Sequence, residues 1–139
     1  MISQTAEYAL RAVLHLAQHA DDKPVSVDAV AEALDIPRNY LSKILHTLAK
    51  DGVLTSLRGP GGGFNLSVPS DELCLLDVIN PFDRLNDRRQ CLLGRKECSD
   101  DTPCPAHHSW RDVSDQVTDF FSHTTIEQFL AEGVGTEAD

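Results

Sequence analysis

The sequence predicts a mainly α-helical fold with one short β-hairpin and a long helix near the C-terminal end. Apolar residues recur at helical spacing in three successive segments, residues 2–19, about 26–34 and 38–50. Two short apolar strands, VLTSL and FNLSV, then flank the glycine-rich sequence RGPGGG. Helix, helix, turn, helix and glycine-tipped hairpin is the order of a winged helix-turn-helix. The predicted fold class is therefore a winged helix-turn-helix domain with a two-stranded wing, followed by a long C-terminal helix.

The limits of the first three helices follow from capping and turn residues. DDKP at 21–24 ends the first helix, and Ser26 is a suitable N-cap for the second. Asp35-Ile36-Pro37 forms the turn before the third helix, because proline suits a first helical turn. Gly52 supplies a left-handed stop after that helix. Its apolar face has the spacing i, i+3, i+4 and i+7, with Leu41, Ile44, Leu45 and Leu48.

The second half of the chain predicts three helices and a long loop. LCLLDVI, residues 73–79, is a short apolar helix that stops before Pro81, and residues 83–105 are charged and irregular. A long helix is expected from about 105 to 121 and a short one at 125–130. We divide the chain into a winged helix-turn-helix domain (1–69), a short helix with a connector (70–90), a cysteine-rich loop (91–104), the long and terminal helices (105–131) and a tail expected to be flexible (132–139).

The distribution of charge matters more than its sum. The net charge of −10 argues against a nucleic-acid partner, but residues 1–68 carry a net charge of only −1 and residues 69–139 carry −9. DNA responds to the field within a Debye length of about 10 Å, so a small basic face is sufficient. The chain has no apolar run of about 18 residues, the length that a membrane span requires. Glu7 and Arg11 interrupt the apolar core that a signal peptide would need. We therefore expect a cytoplasmic protein, in which disulfides are disfavoured.

The polar face of the third helix is a candidate DNA-reading surface, because it carries cations and no acid. Arg38, Asn39, Ser42 and Lys43 lie in the first turns, where recognition helices approach base edges. The residues His46, Thr47 and Lys50 follow and are candidates for phosphate contacts. In the wing, Arg58 suits a phosphate or the minor groove, and Gly61 and Gly62 allow close approach to the backbone of DNA. The alternative is that the face is only a solvated surface and the glycines only a hairpin turn.

Several motifs together resemble the Rrf-type winged-helix transcription regulators. The stretch AEYALRAVLHLA precedes RNYLSKILHTLAKDGVLTSLRGPGGGF, and CPAHHSWRD follows a cysteine cluster. The resemblance extends from about residue 2 to residue 130 and is greatest to the iron–sulfur sensor branch that includes IscR-like and NsrR-like regulators. It implies a homodimer that binds double-stranded DNA operators with inverted-repeat symmetry. It also implies dimerisation through the long helix at about 105–121.

One of the four cysteines lies apart in the sequence from the other three, which form a cluster. Cys74 lies in an apolar run, where cysteine is usually a small buried hydrophobe. Cys91, Cys98 and Cys104 have the spacing C-x6-C-x5-C, which is too long for a zinc knuckle pair. Such spacing suits a loop around a larger body, such as an iron–sulfur cluster. A structural zinc site and a loop of reduced thiols remain the alternatives.

The resemblance implies candidates for a fourth ligand. CPAH repeats the Cys-x-x-His spacing of IscR-like members, which points to His107. The alternative is Glu7 of the partner subunit, which matches the acid of the first helix in the NsrR-like branch, and His108 is a weaker third candidate. The first cysteine spacing is one residue longer than the C-x5-C of these relatives. A two-iron cluster is favoured, and a four-iron cluster is possible.

The resulting hypothesis is a homodimeric DNA-binding transcription regulator, with repression as its expected action. An iron–sulfur cluster that senses iron, redox state or nitric oxide is expected to control its operator affinity. The alternative is a cluster-free regulator of the same fold that responds to thiol oxidation or to a partner. An enzyme that uses Cys104 with His107 or His108 is disfavoured. The chain has no C-x-x-C motif or nucleophile elbow, and one small domain leaves little room for a substrate cleft.

Overall fold

The computed structural model describes residues 2–19, 23–83, 93 and 105–132, and its described elements are six helices and one hairpin. The order of these elements is α1 (Gln4–Gln18), α2 (Val27–Leu34), α3 (Arg38–Lys50), β1 (Leu54–Leu57), β2 (Gly63–Leu66), α4 (Leu75–Ile79), α5 (His107–His123) and α6 (Ile126–Glu132). The mainly α-helical winged helix-turn-helix predicted from the sequence is confirmed. The predicted elements are all present, with ends shifted by one or two residues. No helix in the described ranges is long and apolar enough to cross a membrane.

Capping residues fix the starts of α1 and α2. The Ser3 hydroxyl accepts a hydrogen bond from the Ala6 N–H at 3.1 Å, and the Ser26 hydroxyl accepts one from Ala29 N–H at 3.2 Å. Each bond satisfies a backbone donor that has no partner within its helix. Helix α2 ends at Asp35, whose φ of 53° is left-handed and turns the chain into α3. The turn predicted at residues 35–37 is therefore confirmed.

The core lies between α1, α2 and α3 and continues under the hairpin. Leu41, Leu45 and Leu48 of α3 are fully buried, together with Val13 of α1 and Val30 of α2. Burial of each leucine side chain contributes about 1.5–3 kcal/mol to folding. Arg11 of α1 donates through Nη2 to the Leu34 carbonyl at 2.8 Å and so satisfies an acceptor at the end of α2. The apolar face of α3 is thus held rigidly in the core, while its opposite face is exposed to solvent.

A third segment of the chain pairs with the two strands of the hairpin. Strands β1 and β2 are antiparallel, with Leu54 opposite Leu66 and Leu57 opposite Gly63. Val25, between α1 and α2, forms an antiparallel bridge to Phe64 with N–H···O distances of 2.9 and 3.0 Å. This third segment was not predicted from the sequence. It fixes the base of the wing against the helices.

Helices α4 and α6 belong to the same core as the first three helices. Val78 and Ile79 of α4 and Ile126 of α6 are buried in that core. The Leu75 N–H donates to the Thr124 carbonyl at 2.9 Å, and the Ile126 N–H donates to the Leu73 carbonyl at 2.8 Å. Residues 1–69 and the later helices share one core, and the domain boundaries proposed from the sequence stay a prediction.

Cys74 differs from the interpretation based on the apolar run. It is half-buried and packs against the core as expected of a small hydrophobe, but it is the N-cap of α4, one residue before the helix. Its thiol and its backbone N–H both donate to Asp77 Oδ2, each at 3.1 Å. The reason for the difference is local: Asp77 at the third helical position offers a carboxylate that closes a capping box.

Candidate nucleic-acid interface

The outer face of α3 has the exposed polar character expected of a recognition surface. Arg38, Asn39, Lys43, His46 and Lys50 are exposed, and Ser42 and Thr47 are half-buried. These seven residues are the positions predicted on α3, and the structure brings them to one side of the helix. The opposite side is locked in the core, as a rigid reader of base edges requires.

Two side chains on this face form hydrogen bonds with backbone carbonyls of α3. His46 donates through Nδ1 to the Ser42 carbonyl at 2.7 Å, and Thr47 donates through Oγ1 to the Lys43 carbonyl at 2.9 Å. With its proton on Nδ1, the neutral His46 ring presents Nε2 as an acceptor. The same ring lies edge-on to Phe64, with centroids 5.3 Å apart and planes at 85°. His46 therefore connects α3 to the base of the wing.

Arg38 has an acidic partner that the sequence analysis missed. Its Nε donates to Asp28 Oδ1 of α2, and the two side chains are 57% and 73% exposed. Helix α3 itself carries no acid, as the sequence indicated, but the fold brings one to its first residue. A contact between residues ten apart across a turn leaves no periodic signal in the sequence.

The tip of the wing is exposed, and its glycines are required by the turn itself. Arg58 is exposed next to the loop. A Cβ at Gly62 would lie 2.2 Å from the Leu57 carbonyl oxygen and 2.8 Å from that of Gly59. Gly61 has a left-handed φ of 76° and open space around it. Close approach of DNA at Gly61 and Gly62 stays a prediction, since hairpin geometry already explains Gly62.

A shallow cleft lies between the end of α1 and the wing. It is lined by His15, His19, Lys23, Pro24, Val25, Ser26, Ala29, Gly61 and Gly62. The rings of His15 and His19 have centroids 4.3 Å apart. Within the described ranges, no three or more histidine, cysteine or acidic side chains are grouped closely enough to hold a metal ion. This cleft adds imidazole and ammonium groups beside the wing that sequence spacing did not assign to it.

The predicted metal ligands are only partly within the described structure. Cys91, Cys98 and Cys104 lie outside the described residues. His107 is the first residue of α5 and is only 2% exposed, with its ring centroid 5.1 Å from that of His108. Glu7 lies in the first turn of α1 and is exposed. His107 follows Cys104 by three residues in the sequence, and Glu7 lies on an exposed part of α1.

The Cys74 thiol is the described group with a perturbed pKa. Burial raises the pKa of the Cys74 thiol above its usual 9.0, and the hydrogen bond to the Asp77 carboxylate raises it further. Both effects favour the neutral thiol, because burial and a nearby negative charge disfavour the thiolate. Cys74 is therefore a poor nucleophile and a poor metal ligand at neutral pH.

A buried three-helix unit, an exposed cationic second helix of the helix-turn-helix and an adjoining wing define a DNA-binding transcription regulator. The Rrf2 family, described as iron-dependent transcriptional regulators, matches residues 2–132. The chain belongs to this family.

Curated relatives agree with this family assignment. A helix-turn-helix-type transcriptional regulator of Aquifex aeolicus is 39% identical over 132 residues, which cover 94% of this chain and 91% of that protein. The transcriptional regulator IscR of Pectobacterium atrosepticum is 33% identical over 129 residues, covering 93% and 78% of the two chains. These relatives are transcription regulators, and an enzymatic role is not supported.

Solved structures show the same fold. CymR (YrzC), the global cysteine regulator of B. subtilis, superposes with a TM-score of 0.80 at 22% identity, covering 96% of this chain and 98% of that one. An oxidized form of Staphylococcus aureus CymR has a TM-score of 0.73 at 27% identity, covering 96% and 98%.

Proposed function

We propose that the protein is a homodimeric repressor that binds inverted-repeat DNA operators in the cytoplasm through α3 and the wing. The observation that carries the proposal is the division of α3 into a fully buried apolar face and an exposed polar face. Arg38, Asn39, Ser42 and Lys43 are assigned to base edges. Phosphate contacts are assigned to Lys50 and Arg58, and to His46 and Thr47 when their N–H and O–H donors exchange the helix carbonyls for phosphate oxygens. Gly61 and Gly62 are assigned to approach of the wing.

The exposure of apolar side chains on α5 supports a contact with a second subunit. Only His107 and Phe121 of this 17-residue helix are buried among the described residues. Val113 and Phe120 are 47% and 50% exposed, and Val117, between them on the same stripe, is half-buried and packs against the core. Residues at i, i+4 and i+7 share one helix face. We assign this stripe to the dimer contact.

We further propose that an iron–sulfur cluster controls operator affinity. Three thiolates, Cys91, Cys98 and Cys104, are a donor set suited to such a cluster, and the family is described as iron-dependent. Buried His107 is assigned as the fourth ligand, because it begins α5 and follows Cys104 by only three residues in the sequence. The partner's Glu7 is the alternative, and its exposure permits a contact between subunits. When bound, the cluster supplies sensitivity to iron, redox state or nitric oxide.

The experiment is anaerobic purification with iron and sulfide quantified, in three variants beside the unmodified protein. His107→Ala should lower cluster content and change the visible absorption, whereas His108→Ala, on the exposed neighbour, should not. Loss of cluster from Glu7→Gln instead would assign the ligand to Glu7. Operator affinity of the cluster-containing and the iron-free protein should differ several-fold. Equal affinities would contradict control by the cluster, and absence of iron would remove the cluster itself.

A cluster-free regulator that responds to thiol oxidation is the second candidate. The observation in its favour is the similarity to Staphylococcus aureus CymR, one of whose solved structures is an oxidized form. Iron-free protein treated with hydrogen peroxide separates the two candidates. A change in operator affinity that reverses with a thiol reductant supports the second candidate, and an unchanged affinity contradicts it.

A further inference from the structure

The contact between Asp28 and Arg38 joins the two helices of the helix-turn-helix at the point where α3 begins. Asp28 lies in the first turn of α2, and Arg38 is the first residue of α3. The bond runs from Arg38 Nε to Asp28 Oδ1, and no described residue bonds the two Nη nitrogens. The guanidinium is therefore held at one edge.

Stability does not explain this pair. Both side chains are more than half exposed. Exposed ion pairs contribute little to folding, because solvent screens the charges and ordering two side chains costs entropy. The core between α2 and α3 is already fixed by buried side chains such as Val30 and Leu41. We therefore look for the effect of the pair in the orientation that it gives to the exposed Arg38 side chain.

The geometry leaves the reading edge of arginine available. A guanidinium binds guanine by donating two parallel hydrogen bonds to the O6 and N7 atoms in the major groove. When Asp28 accepts from Nε, the Nη1 and Nη2 pair remains for those two acceptors. Arginine side chains lose much rotamer freedom when ordered, so prior fixation reduces the cost of binding. We propose that Asp28 is a positioning residue that fixes Arg38 for reading one guanine in each operator half-site.

The inference rests on the proposed DNA-binding function and adds the base that is read. The negative charge of Asp28 also opposes phosphates near α2, so the pair lowers affinity for DNA in which no guanine meets Arg38. Asp28 thus increases the ratio of specific to non-specific binding. It does not increase affinity for all DNA.

The test is selection of binding sites from a double-stranded DNA library with a randomised central segment. The unmodified protein should select symmetric sites with one strongly preferred guanine in each half. Arg38→Ala should lose the preference at that position only. A bidentate arginine–guanine contact gives discrimination of roughly five- to 150-fold. Asp28→Ala should lower the guanine preference at the same position several-fold and strengthen binding to non-specific DNA.

Two variants complete the design. Glu32→Ala removes one negative charge from α2 without touching the pair, and should leave the guanine preference unchanged. Asp28→Asn keeps an acceptor oxygen and should retain part of the preference. The inference is overturned if Asp28→Ala strengthens all binding with an unchanged guanine preference, or if Arg38→Ala selects the same sites as the unmodified protein. If the unmodified protein selects no site at all, the proposed function itself fails.

Discussion

At the scale of single residues, Cys74 shows how one side chain can be both a cap and an unreactive thiol. Its Sγ donates to Asp77, and that bond needs the protonated form. Because the pKa of Cys74 is raised in the folded protein, the folded state holds this proton more tightly than the unfolded state. The contribution to stability is complete below the unfolded pKa and is lost as pH rises through the folded value.

Replacement of Asp77 by asparagine should make Cys74 more reactive. The neutral amide removes the charge that opposes the thiolate, so the pKa of the thiol falls toward its usual value, and burial keeps part of the increase. Alkylation by iodoacetamide, followed across pH 7–11 by mass spectrometry of the peptide containing Cys74, should shift to lower pH. Asp71→Asn, which alters an exposed acid nearby in sequence, is the control. An unchanged pH profile in Asp77→Asn would contradict the assigned cause.

The wing glycines provide a matched pair at the same scale. A Cβ at Gly63 would lie 2.3 Å from the carbonyl oxygen of Val25, while one at Gly61 would meet nothing within 4 Å. Gly61→Ala should therefore cost only its left-handed backbone strain, about 1–2 kcal/mol. Gly63→Ala should cost more, because it separates the base of the wing from Val25. Urea unfolding of both variants measures the difference, and equal losses would contradict the packing seen at Gly63.

At the scale of elements, α3 was predictable from the sequence because its signals are local. The spacing of its four apolar residues, the turn before it and Gly52 after it are all within one stretch of chain. The bridge between Val25 and Phe64 was not predictable, since it joins segments 39 residues apart through backbone atoms. The Asp28–Arg38 contact was missed for the same reason, because composition and periodicity do not report which side chains meet in space. The three clustered cysteines remain predictions, as they lie outside the described residues.

The two faces of α3 should separate by mutation. Leu45→Ala, at a fully buried position, should lower the free energy of unfolding by about 2–5 kcal/mol. Lys43→Ala, at an exposed position, should change it by less than about 0.5 kcal/mol. The same lysine variant should weaken operator binding and relax the base preference at the position that Lys43 reads. Thermal unfolding and fluorescence anisotropy with the operator and its single-base variants measure the two effects, and full DNA affinity in Lys43→Ala would remove this residue from the interface.

At the scale of the whole molecule, the shared core links the DNA-binding helices to the proposed dimer helix. Helices α4 and α5 pack together, and α4 in turn packs on α1. The Ser3 N–H also donates to Asp83 Oδ2 at 2.6 Å, which connects the start of α1 to the end of the α4 segment. A displacement of α5 in a dimer therefore has a packed route to α1 and α3. This continuity is what a regulator needs if events near residue 107 are to affect the spacing of two α3 helices.

The apolar stripe of α5 is expected to hold two subunits together in the dimer. Phe120→Glu places a charge at the C-terminal end of the apolar stripe of α5, and burying an unpaired charge in a dimer interface is costly. Sedimentation should then show monomers where the unmodified protein shows dimers. Affinity for a two-half-site operator should fall, since half-sites about 34–36 Å apart require two α3 helices held together.

Leu57→Glu is the matched control for this change. Leu57 is 57% exposed and ends strand β1 of the wing, far in sequence from α5. The same new charge there should leave the dimer intact while it weakens DNA binding by repelling phosphates. Circular dichroism should show native helix content in both variants. A Phe120→Glu protein that remains dimeric would place the subunit contact elsewhere than on the stripe formed by Val113, Val117 and Phe120.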